Sequence, residues 1–233
     1  MTQQPVTQQP MTRSPVHAVL STERLLPVVV LDDVAAALPL GAAIRAGGLS
    51  TIEITLRTPQ ALAAIRALAG EGDLVVGAGT VLTAAQAQEA VGAGASFVVS
   101  PGVSAKVVTW CRDAGIPVFP GVATPTDIQA ALELGIDVMK FFPADVNGGV
   151  PAIKALAAPF TGVKFVPTGG VTAANLPAYL GHPSVLAVGG SWMVARDAVA
   201  SQDWDGIAGL VAAAVAIAAN ATSGRTAKGA DHG

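Results

Sequence analysis

Short runs of apolar, β-branched residues alternate along the chain with longer segments in which apolar residues recur at helical spacing. Eight runs begin 20 to 26 residues apart, at residues 26–31, 50–55, 74–77, 96–100, 117–120, 137–141, 163–167 and 185–189. The segments between them are rich in alanine and leucine, and several end in an Ala-Gly or Leu-Gly pair that is typical of a helix terminus. Strands that alternate with helices predict βαβ units and a parallel sheet.

Eight strand–helix units with no other domain left over predict an α/β fold, a single-domain (β/α)8 TIM barrel, rather than an open doubly wound sheet. We expect this barrel to span residues 20–219. Residues 1–19 contain TQQP twice and three prolines, and residues 220–233 are mostly small and polar. We predict that both ends are flexible tails, and the first lacks the apolar core of a secretory signal.

Composition narrows the class of protein. Apolar residues make up 52% of the chain and charged residues 12%, which excludes intrinsic disorder. The formal net charge of −3 offers no basic surface for nucleic acid. The stretch at residues 206–219 is half alanine and fits a packed terminal helix better than a membrane span. The single cysteine, Cys111, cannot form an internal disulfide, so we expect a cytoplasmic protein without nucleic-acid or membrane partners.

Ionisable residues late in two strand runs are the strongest candidates for chemistry, because a barrel places its active site at the carboxyl ends of its strands. In TIEIT, the alternation of a strand directs Glu53 into the barrel. In DVMKFF, apolar neighbours disfavour the charged form of Lys140 and favour a nucleophilic amine. Two structural alternatives stay open: Glu53 could pair with Arg57 or a lysine, and Lys140 could only neutralise Glu53.

Glycine-containing turns follow four of the runs. GAGT at residues 77–80 and SPG at residues 100–102 let backbone N–H groups approach a ligand. PTGG at residues 167–170 and GGSW at residues 189–192 follow the seventh and eighth runs, where barrels commonly bind phosphate. Ordinary helix-entry turns are the alternative. The three histidines are far apart in the sequence, so we expect no metal site.

An interior lysine, an interior glutamate and a phosphate site together indicate Schiff-base chemistry on a carbonyl compound. The lysine amine condenses with a ketone, and the protonated imine accepts electrons when the adjacent C–C bond breaks. Glu53 is the candidate general acid and base. Because the iminium itself stabilises the developing carbanion, we expect neither a metal nor another cofactor.

The ordered motifs at the strand ends resemble those of the class I 2-keto-3-deoxy-6-phosphogluconate (KDPG) aldolases, which also act on 4-hydroxy-2-oxoglutarate (KHG). The resemblance covers residues 27–205. It rests on IEITLR (52–57), VGAGTV (76–81), SPG (100–102), KFFPA (140–144), NGG (147–149), PTGGV (167–171) and GGSW (189–192, by its last three residues).

The resemblance implies a role for each matching residue. Lys140 would form the Schiff base and Glu53 would transfer protons, while Arg57 and Thr80 would bind the pyruvate carboxylate. Residues that would shape the pocket are Pro101, Phe142 and Thr168. Residues that would contact the distal phosphate are Gly169, Gly170, Gly190 and Ser191.

The implied reaction splits 2-dehydro-3-deoxy-6-phosphogluconate into pyruvate and glyceraldehyde 3-phosphate, and 4-hydroxy-2-oxoglutarate into pyruvate and glyoxylate. The family resemblance also implies a homotrimer. Two alternatives stay open: a relative specific for the galactonate epimer, with the same lysine and glutamate, and a phosphate-binding barrel that isomerises or only binds a sugar phosphate.

Overall fold

The computed structural model describes residues 14–229, with side chains through residue 221; residues 1–13 and 230–233 of the predicted tails lie outside it. The strands are β1 (Leu25–Val29), β2 (Thr51–Thr55), β3 (Val75–Gly79), β4 (Phe97–Val99), β5 (Val118–Phe119), β6 (Gly121–Val122), β7 (Val138–Phe141), β8 (Lys164–Pro167) and β9 (Val188–Gly190). The α-helices are α1 (Pro15–Glu23), α2 (Ala37–Ala46), α3 (Ala61–Glu71), α4 (Ala84–Gly92), α5 (Ala105–Asp113), α6 (Pro125–Glu133), α7 (Gly149–Ala157), α8 (Leu176–Leu180), α9 (Arg196–Ala200) and α10 (Trp204–Gly229). Two 3-10 helices span Val34–Ala36 and Trp192–Val194.

The strands pair in parallel, as the alternation of strands and helices predicts. One sheet has the order β5-β4-β3-β2-β1-β9, and a second has the order β6-β7-β8. Two isolated parallel bridges, Phe165↔Val185 and Thr168↔Gly189, join the second sheet to the segment around β9. The architecture is therefore a single α/β domain built on a curled parallel sheet, with the carboxyl ends of the strands on one side.

The fifth predicted run, residues 117–120, contains the two-residue strand β5, and a further short strand that was not predicted, β6, follows directly after it. Pro120 separates β5 from β6 because proline has no N–H to donate to a sheet. Its carbonyl still accepts a hydrogen bond from the backbone N–H of Lys140 at 2.9 Å. In the next position, Gly121 pairs with Lys140. The interruption therefore leaves the chain in register with β7.

Local signals determine where the helices begin and end. At α6, the Thr124 hydroxyl accepts a hydrogen bond from the Asp127 N–H at 3.2 Å, and the Asp127 carboxylate accepts one from the Thr124 N–H at 2.9 Å. The predicted stop signals after α4, α5 and α6 are confirmed, since Gly94, Gly115 and Gly135 have φ values of 108°, 70° and 75°. This left-handed conformation ends a helix and favours glycine.

Helix α10 packs against the domain along one face. Its buried positions recur every three or four residues: Ile207, Val211, Ala214 and Ala218. A Cβ atom on Gly47, directly after α2, would lie 2.5 Å from Cβ of Val211, so the two segments are in close contact. Trp204–Ala221 has a mean hydropathy of 1.5 and by length and composition alone could cross a membrane. The helix continues to Gly229, past the predicted boundary at residue 219, because the alanines around that boundary favour helix.

Helix α1 begins at Pro15. Residues 15–19 were predicted to be part of the N-terminal tail, but they form the first part of this helix. Val16, His17 and Leu20 are buried on one face of this helix. Ser14 precedes it, and its hydroxyl lies 2.6 Å from Nδ1 of His17. A nine-residue helix with three buried residues, next to a polar segment, is too short for hydrophobic periodicity to reveal, which explains the error in the predicted boundary.

Alternate positions along the strands contribute to two apolar clusters. Leu25 and Val98 belong to the larger cluster, which includes the helices packed around the sheet. Their neighbours on the other face form a second cluster, called here the interior cluster. Its members are Val16, Leu20, Leu26, Phe97, Val99, Phe119, Val138, Val166 and Ala187. Helix α1 is thus the helix that packs against the inner side of the sheet.

We expect His17 to make the stability of the fold dependent on pH. Its ring packs on Phe119 with 5.1 Å between ring centroids, and burial lowers the pKa of His17 although the charge of Asp137 acts in the opposite direction. Below pH 6.5, the usual value, the unfolded chain therefore binds more protons than the folded protein. The free energy of unfolding should decrease as the pH falls through this range, by at most about 1.4 kcal/mol per pH unit for this one group.

Urea unfolding between pH 5 and pH 8 measures this dependence, which should be shallower in His17→Gln than in the natural protein. His182 contributes in the same direction, because burial and the charges of Lys154 and Lys164 lower its pKa. His182→Gln should therefore reduce the slope as well, and it measures the part of the pH dependence that does not come from His17. An unchanged slope in His17→Gln would contradict the prediction.

Candidate active site

The carboxyl ends of the strands surround a cavity of about 300 Å³. It is lined by Val28, Thr55, Arg57, Thr80, Pro101, Lys140, Phe142, Thr168, Gly169, Gly170, Val171, Gly190 and Ser191. Every site residue predicted from the sequence is in this set except Glu53. Glu53 contacts Lys140, which itself lines the cavity. The fold therefore brings together groups that are widely separated in the sequence.

Lys140 lies on β7 and is 6% exposed. Its Nζ donates a hydrogen bond to Oε1 of Glu53 at 3.3 Å and lies 5.0 Å from the centroid of the Phe142 ring. A carboxylate and an aromatic face therefore both lie close to the amine. The ion pair that the sequence left as the structural alternative is present, and it also brings the amine and the candidate proton-transfer group within reach of each other.

Glu53 lies on β2 and is 1% exposed. Its Oε1 accepts the hydrogen bond from Lys140, whereas Oε2 is buried without a hydrogen-bond partner among the described residues. A Cβ atom on Gly79 would overlap the carboxylate, so only glycine at this position leaves room for Glu53 as observed. A buried carboxylate with one unoccupied oxygen beside an amine can both accept and return a proton.

Arg57 and Thr80 lie where β2 and β3 end. Arg57 is exposed and forms no ion pair among the residues whose side chains are described. Thr80 has a φ of 58°, a left-handed conformation that is uncommon for a β-branched residue. A guanidinium without a carboxylate partner at the cavity is suited to bind a carboxylate ligand, which arginine can hold with two parallel hydrogen bonds.

The turns after β8 and β9 contribute the glycine-lined part of the cavity. Gly169 and Gly170 have φ values of 94° and 77°. At Gly190, a Cβ atom would overlap the ring of Trp192. Ser191 is exposed, and its hydroxyl does not cap the 3-10 helix that follows. The backbone of these glycines therefore borders the cavity without intervening side chains. Backbone N–H groups that are exposed in this way can bind phosphate.

Three lining residues were not in the set predicted from the sequence: Val28, Thr55 and Val171. The alternation of β2 that directs Glu53 inward does the same for Thr55, whose hydroxyl donates to the Val29 carbonyl at 2.7 Å. The sequence thus contained a signal for Thr55. Val28 pairs with Glu53 in register, but a valine within the continuous apolar run LPVVVL gives no indication of which face it occupies.

Cys111 does not take part in this site. It lies on α5 and is fully buried, and burial raises the pKa of its thiol to about 12. The thiol therefore stays protonated at neutral pH and is not a nucleophile. Between residues 14 and 221, no group of three or more His, Cys, Asp or Glu side chains could hold a metal ion.

Amine chemistry on a carbonyl compound, with a carboxylate to move the protons, is the chemistry of a class I aldolase, and this is the class that the fold and the cavity define. The model of the family "KDPG and KHG aldolase" matches residues 16–210. The chain belongs to this family of lyases.

Individual relatives agree with the family. The 2-dehydro-3-deoxy-phosphogluconate aldolase of Treponema pallidum is 50% identical over 192 residues, which cover 82% of this chain and 91% of that protein. The KHG/KDPG aldolase of Escherichia coli is 42% identical over 200 residues, 85% of this chain and 94% of that protein. Among solved structures, a KDPG aldolase of Legionella pneumophila, with pyruvate captured as a covalent carbinolamine, superposes with a TM-score of 0.83 at 39% identity and covers 89% of this chain and 98% of its own.

The contact between Gly79 and Glu53 predicts that Gly79→Ala disrupts the Lys140–Glu53 pair. The added Cβ atom would overlap Oε1, so the carboxylate must move away from Nζ of Lys140. Turnover of KDPG should fall by about 100-fold, the order of a lost acid/base contribution. Steady-state kinetics on the folded variant, checked by its circular dichroism, measures this effect.

Gly102→Ala is the matched control. Gly102 lies in the turn after β4, has no neighbouring atom within 4 Å of an added Cβ and does not require a positive φ. This variant should keep the turnover of the natural protein. Equal losses in both variants would show that the strand-end turns tolerate no side chain, rather than that Gly79 accommodates Glu53.

Proposed function

We propose that this protein is a class I aldolase that cleaves 2-dehydro-3-deoxy-6-phosphogluconate into pyruvate and glyceraldehyde 3-phosphate. The observation that carries the proposal is Lys140, a buried amine 3.3 Å from a buried carboxylate at a strand-end cavity. The names of the relatives favour the gluconate substrate over the galactonate epimer and over a barrel that only binds sugar phosphate.

The pair can carry out each proton transfer that the reaction needs. Glu53 takes a proton from the ammonium of Lys140, and the free amine attacks the C2 ketone to give a carbinolamine. Glu53 returns its proton to the carbinolamine hydroxyl, which leaves as water, so that a protonated iminium forms and Glu53 is a carboxylate again. Glu53 then removes the proton of the C4 hydroxyl, the C3–C4 bond breaks, and its electrons move into the iminium to form an enamine while the aldehyde leaves. Protonation at C3 and hydrolysis release pyruvate and the lysine.

The ends of the cavity would bind the two charged ends of the substrate. Arg57 and Thr80 would hold the carboxylate next to the reacting ketone, while Pro101, Phe142 and Thr168 enclose the carbon chain between them. Gly169, Gly170, Gly190 and Ser191 would bind the distal phosphate. The lining of a single cavity by all of these residues supports this arrangement.

A second substrate, 4-hydroxy-2-oxoglutarate, fits the same chemistry. It has the 2-oxo acid and the hydroxyl at C4 that cleavage requires, and it ends in a carboxylate instead of a phosphate. The E. coli relative is named for both activities. Cleavage would yield pyruvate and glyoxylate without any contact to the phosphate turns.

We also propose that the sheet closes into a complete (β/α)8 barrel and that the enzyme is a cytoplasmic homotrimer. The pairing of β1 with β9 and the bridges from Phe165 and Thr168 support closure. The trimer is supported by the family resemblance, and size-exclusion chromatography with light scattering tests it. A single buried thiol supports the cytoplasmic location.

Borohydride reduction in the presence of pyruvate tests the assignment of Lys140. Reduction of the imine should attach the three-carbon unit irreversibly to the peptide that contains Lys140, as peptide mass spectrometry detects. Lys140→Arg should be inactive and unlabelled, because arginine keeps the charge but offers no neutral amine.

Lys164→Arg is the control for the labelling experiment. Lys164 is exposed and donates a hydrogen bond to the Pro183 carbonyl at 2.9 Å, away from the cavity. This variant should be labelled and active like the natural protein. An adduct on Lys154 or Lys164 of the natural protein would overturn the assignment of Lys140.

Ser191→Ala tests the phosphate site. Loss of one hydrogen bond to phosphate should lower kcat/KM for the phosphorylated substrate, mainly through a higher KM. The corresponding loss of transition-state stabilisation should be about 1–3 kcal/mol. Cleavage of 4-hydroxy-2-oxoglutarate by the same preparation is the internal control and should change little. Equal losses on the two substrates would show that Ser191 supports the fold rather than the ligand.

A further inference from the structure

A residue outside the strands contributes to the surroundings of the Lys140–Glu53 pair. A second cavity, of about 10 Å³, lies between the pair and the interior cluster. It is lined by Leu20, Leu26, Glu53, Val99, Phe119, Lys140, Val166 and Thr168. Among these residues, Leu20 alone comes from a helix, α1, and it is completely buried.

This small cavity is at the lower limit of what one water molecule needs, which is about 10–15 Å³ together with two to four polar partners. Most of its lining is apolar, but the polar partners are present, because Glu53, Lys140 and Thr168 all border it. Oε2 of Glu53 is buried and has no hydrogen-bond partner among the described residues. The side chain of Leu20 is one of the groups that keep the cavity this small, so its truncation would leave room for water beside the pair.

Water on this side would weaken the geometry of the pair. Two opposite charges attract each other more strongly in a dry site than in a hydrated one. A water molecule hydrogen-bonded to Oε2 or Nζ would compete with the 3.3 Å contact between Lys140 and Glu53. Misplacement of reacting groups by about 1 Å can cost 100-fold in rate.

We propose that Leu20 is a positioning residue of the active site, which from helix α1 closes the inner side of the Lys140–Glu53 pair to water and so holds the amine and the carboxylate together. This inference rests on the proposed aldolase function. Leu20 does not line the cavity proposed for the substrate, so its effect reaches the reaction only through the pair.

The test compares Leu20→Ala with a matched variant on the same helix. Val16 lies one turn before Leu20, is 2% exposed and belongs to the same interior cluster, but it does not line the small cavity. Both Leu20→Ala and Val16→Ala should lower the melting temperature, because each removes buried methyl groups. Leu20→Met keeps the volume and should stay close to the natural protein in both stability and turnover.

The expected result separates position from stability. Leu20→Ala should lower kcat on KDPG by about 10-fold to 100-fold, with KM changed less than twofold, and should slow the trapping of pyruvate by borohydride in parallel. Val16→Ala should keep the kcat of the natural protein despite its lower melting temperature. If Leu20→Ala does not fold, Leu20→Val replaces it, with a smaller loss of kcat expected.

Two results would overturn the inference alone, provided that the natural protein cleaves KDPG and forms the pyruvate adduct. The first is a folded Leu20→Ala, or Leu20→Val in its place, with the natural kcat, and the second is an equal loss of kcat in Val16→Ala. A natural protein with neither turnover nor adduct would instead overturn the proposed function, and the inference with it.

Discussion

The burial of two opposite charges side by side constrains most of this structure. Lys140 and Glu53 are 6% and 1% exposed, with 3.3 Å between Nζ and Oε1. Removing both ions from water costs several kcal/mol for each, and their attraction offsets this cost only when the geometry is good. The two residues come from β2 and β7, which belong to different sheets. The pair therefore depends on how the two sheets are placed relative to each other.

Glycine and proline positions around the pair follow from the same constraint. Gly79 leaves room for the carboxylate, and a Cβ atom on Gly121, the register partner of Lys140, would overlap the Pro101 carbonyl. These close approaches hold the strand ends near one another, where the cavity opens. Pro120 interrupts the sheet between β5 and β6, yet its carbonyl still bonds to the Lys140 N–H. Backbone contacts therefore fix the position of the Lys140 main chain independently of the ion pair that its side chain forms.

The sequence was informative where a local pattern determines the structure. Period-two alternation placed Glu53 on the inner face, and the Ala-Gly and Leu-Gly signals located the ends of the helices. The sequence was uninformative where tertiary contacts determine the structure. Helix α1 is defined by the contact of its buried face with the interior cluster. The position of Val28 at the cavity depends on which face of β1 is turned inward, which a continuous apolar run does not indicate. Strand β6 was not predicted, because the proline at the end of the fifth run gives no local sign that pairing resumes beyond it.

The structural and catalytic interpretations of the pair differ in how they account for Glu53. A purely structural buried pair is stable only when further hydrogen bonds satisfy the remaining lone pairs, but Oε2 has no such partner among the described residues. An unsatisfied buried acceptor costs about 1–3 kcal/mol, a cost that a structural role leaves unexplained. A group that must take a proton from substrate and return it needs an oxygen that is not already occupied. The catalytic interpretation therefore accounts for Oε2 of Glu53, which is not occupied by another protein group among the described residues.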